Sequence, residues 1–306
     1  MPPFKKAISC NEDFNFMAIK YTEEFELYSY GESLASQTAR VGLAEKAIDY
    51  KQHRVGLEST GEHLQKAYKA INPASLVPTL VHNGQPIYDS VKILEYLDSF
   101  APNQGATLFP ADSEANTQVR ALVKEFSLDE TVEIGENFGT CMAGLSTQML
   151  AYLLCKRPFW TVVWDYLTKH PSRDRVPIFI LIRVLGKPPG FKYREFVSGV
   201  AKGVIFIEKT LSHGGPFIAG EYSAADVLLA QGFHRLEITA FHKVLESDQF
   251  PNIKQYWPRL QQRESYKAGI LDYEEDEWSE CKAALYGEGE NPDIEYFWSE
   301  VKRFNQ

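Results

Sequence analysis

The chain has 306 residues, 44% of them hydrophobic and 24% charged, a composition typical of a globular protein with a buried core, and its length suggests about two domains. It carries 32 basic and 41 acidic residues, and the net charge of −9 disfavours nucleic acid and anionic membrane as partners of the molecule as a whole. The four cysteines are widely separated, which excludes CxxC and zinc-finger spacings and favours reduced thiols: Cys10, Cys141, Cys155 and Cys281.

Residues 1–24 form a polar extension for which the sequence predicts little regular structure. The extension lacks the apolar core of a signal peptide, and no stretch of the chain approaches the ~18 consecutive apolar residues of a membrane span. We therefore expect a cytoplasmic protein without a membrane span.

Residues 25–100 alternate between strand and helix patterns. Hydrophobic periodicity predicts four elements before a hairpin and a third helix: strand 25–30, helix 33–46, strand 50–55 and helix 62–71. In the first helix, Leu34, Val41 and Leu43 should face inward. The resulting order, β-α-β-α-β-β-α, predicts a thioredoxin-like α/β domain in which the first helix connects two parallel strands.

The segment 76–98 is the most informative part of the chain. The strand Thr79–His82 is followed by Asn83-Gly84, a strong hairpin signal because a type I′ turn needs positive φ at both positions. Val77-Pro78 precedes this strand, which should be central, where proline is excluded; a cis bond in a tight turn resolves the conflict. Asp89-Ser90 then opens a helix. A peptide-like ligand could pair with the Val77 backbone and meet Asp89 and Ser90 at the helix N-terminus.

These residues resemble the glutathione-binding half of the glutathione transferases, which carry Val-Pro before strand three and an acidic-Ser pair before helix three. The resemblance implies a thioredoxin-like domain over 25–100, a linker over 101–112 and an all-α C-terminal domain over 113–306. Phe217–Asp226 closely matches the family's helical capping motif. Ser223 and Asp226 have capping-box spacing, so we expect them to serve folding rather than chemistry.

Residues 156–196 fit this minimal fold poorly and are interpreted as a basic insertion. They contain nine basic and three acidic residues, which leaves 23 basic and 38 acidic residues for the rest of the chain. The segment also contains several prolines and the apolar run Val176–Leu185. Three interpretations stay open: an extended loop on the protein's own acidic surface, an active-site lid or anion-attracting rim, and a contact with a partner or a membrane surface.

Glutathione chemistry needs a thiolate near neutral pH, which a hydroxyl at a helix N-terminus stabilises by its hydrogen bond and by the helix dipole. Ser33 and Ser36 follow the first strand, where this hydroxyl must lie. Ser33 stands seven residues before Arg40, a spacing that matches the activating residue of several transferase classes, whereas Ser36 aligns better with the bacterial lignin β-etherases. Either serine could instead be only the N-cap of the helix. Both remain candidate catalytic residues.

The remaining ligand contacts are expected from glutathione itself. Its ammonium needs an acidic partner and its γ-glutamyl carboxylate suits a hydroxyl and helix-start amides, which predicts Asp89 and Ser90 as binding residues beside Val77-Pro78. Asp89 could also be an ordinary N-cap. The resemblance places the glycyl end near the second helix, where the candidates are His63, Gln65 and Lys66. Many relatives carry a polar residue where this chain has Leu76.

The residue type at position 35 distinguishes this chain from one class of related transferases. The tetrachlorohydroquinone dehalogenases that the chain resembles carry a cysteine there, which resolves a mixed disulfide with glutathione, whereas this chain has Ala35. Bacterial β-etherases are the most similar class, through Leu27–Gly31, Ile71–Pro73 and Glu95–Leu97 together with Asp89-Ser90. Ganglioside-induced differentiation-associated proteins are more distant relatives.

The function implied by the resemblance is attack by a Ser-stabilised glutathione thiolate on an electrophilic carbon, with cleavage of an aromatic β-aryl ether or a similar carbon–heteroatom bond. The co-substrate is glutathione, no metal is implied, and the second substrate is a small aromatic or otherwise hydrophobic electrophile. We expect a homodimer. Two alternatives stay open: a binding or adaptor protein with little turnover, and a reductive dehalogenase or thiol-transfer enzyme.

Overall fold

A four-stranded mixed sheet forms the N-terminal domain of the computed structural model, which describes residues 19–128, 131–173 and 176–306. The strand order is β2-β1-β3-β4, with bounds Phe25–Ser29 (β1), Lys51–Arg54 (β2), Thr79–His82 (β3) and Gln85–Tyr88 (β4). Strands β1 and β2 are parallel, whereas β3 is antiparallel to both β1 and β4. The predicted thioredoxin-like domain is confirmed.

Two helices cover the sheet, α1 (Leu34–Glu45) and α3 (Ser90–Phe100). Leu34, Val41 and Leu43 are buried, as predicted. At Gly42 a Cβ atom would lie 2.3 Å from Leu94 Cδ2, so only glycine allows the two helices to pack this closely. The hairpin prediction is also confirmed, because φ is 48° at Asn83 and 80° at Gly84.

The second helix is shorter than the sequence predicts. In place of a helix over 62–71, a 3-10 turn covers Glu62–Leu64 and α2 covers only Lys66–Lys69. Gln65 separates them with an extended backbone (φ −81°, ψ 154°), which interrupts the helical hydrogen bonds.

The linker joins the two domains through backbone hydrogen bonds. The amides of Leu108 and Phe109 donate to the Asp98 carboxylate at the end of α3, at 3.0 and 2.9 Å. The Leu108 carbonyl accepts from the amide of Ala224 in the second domain. Leu108 is itself buried in the core of that domain.

The C-terminal domain is helical. Its helices in the described part are α4 (Ser113–Phe126), α5 (Phe138–Leu145), α6 (Thr147–Cys155), α7 (Phe159–Lys169), α8 (Val176–Leu185), α9 (Gly190–Leu211), α10 (Ala224–Ile238), α11 (His242–Glu246), α12 (Pro251–Gln261), α13 (Glu264–Gly269), α14 (Asp276–Tyr286) and α15 (Ile294–Phe304). A further 3-10 turn covers Leu271–Tyr273.

The capping box before α10 forms as predicted. The amide of Ser223 donates to Asp226 at 2.8 Å, and the Asp226 carboxylate also accepts from the amide of Ile218 and the hydroxyl of Tyr256. These partners fix the loop that enters the central helix of the domain.

The basic segment 156–196 is helical, so its interpretation as an extended loop is wrong. It contains α7, α8 and the beginning of α9. Three of its prolines stand at helix starts, where a missing amide hydrogen breaks no helical bond: Pro158 and Pro189 are N-caps, and Pro177 lies in the first turn of α8.

The N-terminal extension is described only from Ile19 onward. Residues 1–18 of the predicted extension, with Cys10, lie outside the described residues, while the Ile19 amide donates to the Gly84 carbonyl of the hairpin. Phe138–Cys155, across α5 and α6, is long and apolar enough to cross a membrane, which the sequence analysis did not expect; 67% of it is buried inside the domain.

Candidate functional site

Three sequence-predicted segments meet at one edge of the sheet. Thr79 pairs with both Tyr28 and Tyr88, so the beginning of β3 lies beside the ends of β1 and β4. Because β1 and β4 run in the same direction, the helices that follow them both begin at this edge. The topology therefore brings together Ser33, Val77-Pro78 and Asp89-Ser90.

Ser33 is the N-cap of α1. Its backbone is extended, and its side chain accepts a hydrogen bond from the amide of Ser36 at 3.3 Å. Ser33 is half-buried. Its hydroxyl oxygen uses one lone pair in this cap, so its proton is available to an acceptor outside the helix.

Ser36 has a different environment. It is fully buried, and its hydroxyl oxygen accepts from the amide of Tyr30 at 3.4 Å. A hydroxyl without solvent exposure cannot contact a thiol bound at the surface of the domain. The geometry therefore favours Ser33 over Ser36.

Two buried arginines hold the loop that leads to Ser33. Arg40 donates to the carbonyls of Tyr30 and Gly31 at 3.2 and 2.6 Å, and Arg235 donates to the carbonyl of Glu32. Both arginines are at most 1% exposed, and burial lowers the pKa of each to about 10. Three consecutive carbonyls thus have charged donors, which fixes the loop geometry.

Sequence reasoning missed both of these roles. In the sequence, Arg40 was used only for its spacing of seven residues from Ser33, and no role was predicted for Arg235. A partial signal exists in α10, where Arg235 is a charged residue within a helix that is otherwise almost entirely buried.

The segment 271–286 covers this loop from the C-terminal domain. The amide of Gly31 donates to the Glu275 carboxylate, which also binds the Arg54 guanidinium through two oxygens. A Cβ atom at Gly31 would lie 2.1 Å from the Tyr273 carbonyl oxygen, so only glycine permits this approach. The hydroxyl of Tyr30 bonds to Glu277 in the same segment.

The Val77-Pro78 peptide bond is cis, as predicted. The preceding Leu76 carbonyl accepts from the Tyr68 hydroxyl at 2.5 Å and from the Asn72 side-chain amide at 2.8 Å. Within the described part of the chain, no hydrogen bond forms to the backbone of Val77. Its amide and carbonyl are therefore available to a peptide-like ligand.

Val77 of this turn packs against a buried apolar cluster to which both domains contribute. The cluster includes Tyr30 and Trp278, and Leu57, Leu150 and Tyr152 also pack against it. Elsewhere in the C-terminal domain, the aromatic residues Phe126 and Phe138 lie in the core, whereas Trp160 and Trp164 are exposed.

Asp89 is the N-cap of α3 and has strained backbone geometry. One carboxylate oxygen, Oδ1, accepts from the amides of Val91 and Lys92 at 2.9 and 3.0 Å, while Oδ2 accepts none from the described residues. Its φ of 70° is unusual for a residue with a Cβ atom and costs on the order of 1–3 kcal/mol. Asp89 is exposed and Ser90, the first residue of the helix, is buried. Such strain is typical of functional positions.

The three candidates for the glycyl end have different surroundings. His63 is buried with Nδ1 3.4 Å from the Gly56 carbonyl oxygen, and burial lowers the pKa of its ring to about 4, so it is neutral at neutral pH. Gln65 donates to the Gly61 carbonyl and accepts from Lys169 of α7. Lys66 is exposed. Their roles in binding stay predictions.

Two charged residues that the sequence analysis did not assign to the site lie near α2. Glu58 follows β2 at the same edge of the sheet, and burial raises the pKa of its carboxyl to about 7. Arg157 is buried and binds Asp165 of α7, with its Nη1 atom lying close to Gly61. The basic segment therefore contacts the N-terminal domain rather than lying apart from it.

A groove of about 310 Å³ lies between α3 and α4, beside Asp89. Six of its nine lining residues are polar or charged, among them Lys92, Glu95, Arg120 and Lys124. In residues 19–128, 131–173 and 176–306, no group of His, Cys, Asp and Glu side chains is arranged to hold a metal ion.

The chain matches known sequences over both domains. The model of the glutathione S-transferase N-terminal domain matches residues 32–99. Protein LigF of Sphingobium sp. is 33% identical over 213 residues, which cover 69% of this chain and 79% of LigF. Glutathione S-transferase TCHQD of Arabidopsis thaliana is 24% identical over 81% of this chain and 90% of its own length. A probable maleylacetoacetate isomerase of Caenorhabditis elegans is 41% identical, but over only 43% of its length.

Solved structures have the same fold. The structure of β-etherase LigF from Sphingobium sp. has a TM-score of 0.71 at 23% identity and covers 82% of this chain and all (100%) of that protein. Glutathione transferase F7 from Populus trichocarpa has a TM-score of 0.61 at 19% identity, with 82% and 100% covered. With the LigF sequence match spanning both domains, these findings confirm the resemblance: the chain belongs to the glutathione S-transferase family.

Proposed function

We propose that the protein is a glutathione transferase in which the Ser33 hydroxyl stabilises the thiolate of bound glutathione. The observation that carries the proposal is the position of this hydroxyl: it is half-buried, at the N-terminus of α1, on the sheet edge where Val77-Pro78 and Asp89-Ser90 also lie. A hydrogen bond and a helix dipole at the sulfur both lower the pKa of the thiol.

The groups at this edge suit the parts of glutathione. The Val77 backbone offers an unused donor and acceptor to the ligand's cysteinyl backbone. The γ-glutamyl ammonium would bind the carboxylate of Asp89, whose Oδ2 atom accepts no hydrogen bond from the described residues, and the γ-glutamyl carboxylate would bind near Ser90. At the glycyl end, Lys66 is the exposed cation among the three candidates.

The electrophile would bind beside the turn, against Leu57, Val77, Leu150 and Tyr152. In ether cleavage the sulfur forms a bond to the carbon while the carbon–oxygen bond breaks, and the electron pair leaves on an aryloxide that takes a proton from solvent. Binding both substrates side by side converts a bimolecular step into an effectively unimolecular one, which lowers the barrier. An aromatic β-aryl ether is the preferred substrate class, because the relative LigF is a β-etherase.

The test is product identification. The purified protein is incubated with glutathione and a panel of β-aryl ethers, benzyl halides and aryl halides, and the first product is identified by mass spectrometry against a reaction without protein. A glutathione thioether together with a released phenol or halide supports the proposal. Oxidised glutathione with a reduced substrate would contradict it in favour of a reductase, and glutathione binding without turnover on any compound would favour a binding protein.

A further inference from the structure

The helices α7 and α8 form a hairpin whose outer faces are unusually apolar. Inner residues of the hairpin pack in a small core with Leu64 of the N-terminal domain and with α6: Val162, Tyr166, Val176 and Ile182. The two helices contact each other and are joined by a short connection. Their outer faces are open to solvent in this structure.

On α7 the outward residues are large and aromatic. Trp160 is 77% exposed, Trp164 65% and Leu167 50%. The spacing of four and three residues places all three on one stripe of the helix. Tryptophan is normally well buried, so two such side chains on one open stripe indicate an interaction surface.

On α8 the outward face has no polar side chain. Its exposed residues are Pro177, Ile178, Leu181, Val184 and Leu185. Arg183, the one charged residue in the helix, turns inward, donates to the Arg157 carbonyl at 3.0 Å and stacks on Phe159. A protein–protein interface usually has about one hydrogen bond per 100–200 Å², which this face cannot supply.

Basic side chains flank the apolar faces. Lys69, Lys169 and Arg173 gather at the C-terminal end of α7, where burial and the charges of Arg173 and Lys169 lower the pKa of Lys69. Lys187 is exposed just after α8. Asp165 is buried and paired with Arg157 and Lys169, so no acidic side chain of this hairpin, in its described residues, opposes an anionic surface.

We propose that the outer face of the α7–α8 hairpin docks on a membrane surface that contains anionic phospholipid. Tryptophans prefer the level of the lipid headgroups, aliphatic side chains enter the acyl boundary, and lysine and arginine pair with phosphates. The segment 156–196 carries a net charge of +6 although the whole chain carries −9, and two of its exposed basic residues, Arg173 and Lys187, lie at the two ends of α8 beside this face. The proposal is independent of the catalytic function.

The test uses the full-length protein and two kinds of vesicle, phosphatidylcholine alone and equal parts of phosphatidylcholine and phosphatidylserine, with co-sedimentation as the readout. We expect binding to the mixed vesicles, weakened by salt, and little binding to phosphatidylcholine alone. Trp160→Ser/Trp164→Ser should lower binding about tenfold or more, as should Arg173→Glu/Lys187→Glu, since each basic residue contributes about 1 kcal/mol at such a surface.

Matched controls exist elsewhere on the chain. Phe206→Ser/Phe304→Ser removes two aromatic residues of 43% and 41% exposure, and Lys209→Glu reverses an exposed charge on α9. These variants should bind vesicles like the original protein. Binding that falls equally in the controls and in the hairpin variants would contradict a role for this face.

A second readout needs no variant. Phosphatidylcholine with brominated acyl chains, mixed with phosphatidylserine, should quench the tryptophan fluorescence of the unmodified protein. Of its five tryptophans, Trp160 and Trp164 are exposed, Trp298 is half-buried, and Trp257 and Trp278 are buried. Absence of both quenching and sedimentation would overturn the proposal. A lower molecular mass of the tryptophan variant by light scattering, without vesicle binding by the original protein, would instead identify the face as a contact between copies.

Discussion

Asp89 combines a structural and a proposed binding role in one side chain. Its Oδ1 atom caps α3, while its positive φ holds the residue in an exposed position at the proposed glutathione site. The two interpretations that the sequence left open, N-cap and ligand contact, are therefore compatible. Different substitutions can separate them.

We predict that Asp89→Asn weakens glutathione binding by about 1.5–3 kcal/mol, as expected for a lost hydrogen bond to a charged group, with little change in stability. The asparagine oxygen can still cap the helix, and asparagine tolerates positive φ. Asp89→Ala should lose both functions. The measurement is titration calorimetry beside denaturant unfolding.

Asp112 offers a matched control. It caps α4 in the same way, accepting from the amides of Glu114 and Ala115 at 3.0 and 2.9 Å. Asp112→Ala should lower the free energy of unfolding by about 1 kcal/mol and leave glutathione affinity unchanged. Unchanged affinity in a folded Asp89→Asn would exclude Asp89 from the site.

Several residues of the candidate site could be predicted because local backbone geometry requires their residue types. Ser33, Pro78 and Asp89 all stand at positions where a cap, a turn or an irregular backbone is required, and the sequence shows these requirements directly. The contacts of Arg40 and Arg235 were not predictable, because Arg40 reaches Gly269 and Arg235 reaches Glu32, each about two hundred residues away along the chain.

At the scale of elements, the loop between β1 and α1 depends on Arg40. The Arg40 guanidinium donates to Ser29, to the carbonyls of Tyr30 and Gly31, and to the carbonyl of Gly269 at the end of α13. Arg40 therefore stabilises the loop before Ser33 and links this loop to the C-terminal domain.

We predict that Arg40→Met lowers the free energy of unfolding by at least about 3 kcal/mol, because several buried acceptors lose their donor at once. Arg259→Met is the control: Arg259 is exposed and, among the described residues, its side chain donates only to the Pro216 carbonyl, so its loss should cost under about 0.5 kcal/mol. Urea unfolding of both variants measures the difference. Equal stability of the two variants would show that the buried network does not hold the loop.

Secondary-structure elements were predicted correctly where one short-range sequence signal specifies them. The hairpin at Asn83-Gly84 and the capping box at Ser223 are short-range signals, and both form. The predicted helix over 62–71 is interrupted because the backbone of Gln65 is extended. In this conformation the Gln65 side chain forms hydrogen bonds with the Gly61 carbonyl and with Lys169 of α7, and local periodicity cannot predict the contact with Lys169. The basic, proline-containing segment 156–196 left an extended loop open as an interpretation, but in the structure Pro158, Pro177 and Pro189 lie at helix starts.

At the scale of the whole molecule, the homodimer implied by the family stays a prediction. Light scattering at micromolar concentration should give twice the monomer mass of 34.8 kDa. The exposed tryptophans of the α7–α8 hairpin should not contribute, so Trp160→Ser/Trp164→Ser should keep this mass. A particle of 34.8 kDa would contradict the dimer.

The three described cysteines differ in burial. Cys141 and Cys281 are buried and burial raises the pKa of each thiol to about 12, so neither is a thiolate at neutral pH. Cys155 is exposed at the end of α6. Ala35 stands where the resemblance would require a resolving cysteine, so the proposed mechanism uses the thiol of glutathione and no protein cysteine.

The most direct test of this central claim is the pKa of the thiol of glutathione bound to the protein, followed by thiolate absorbance as pH is varied. The unmodified protein should lower this pKa below that of free glutathione. Ser33→Ala should raise it by at least about one pH unit, equivalent to about 1.4 kcal/mol, while Ser33→Thr, which keeps the hydroxyl and the cap, should not. The same bound-thiol pKa in Ser33→Ala as in the unmodified protein would contradict the account.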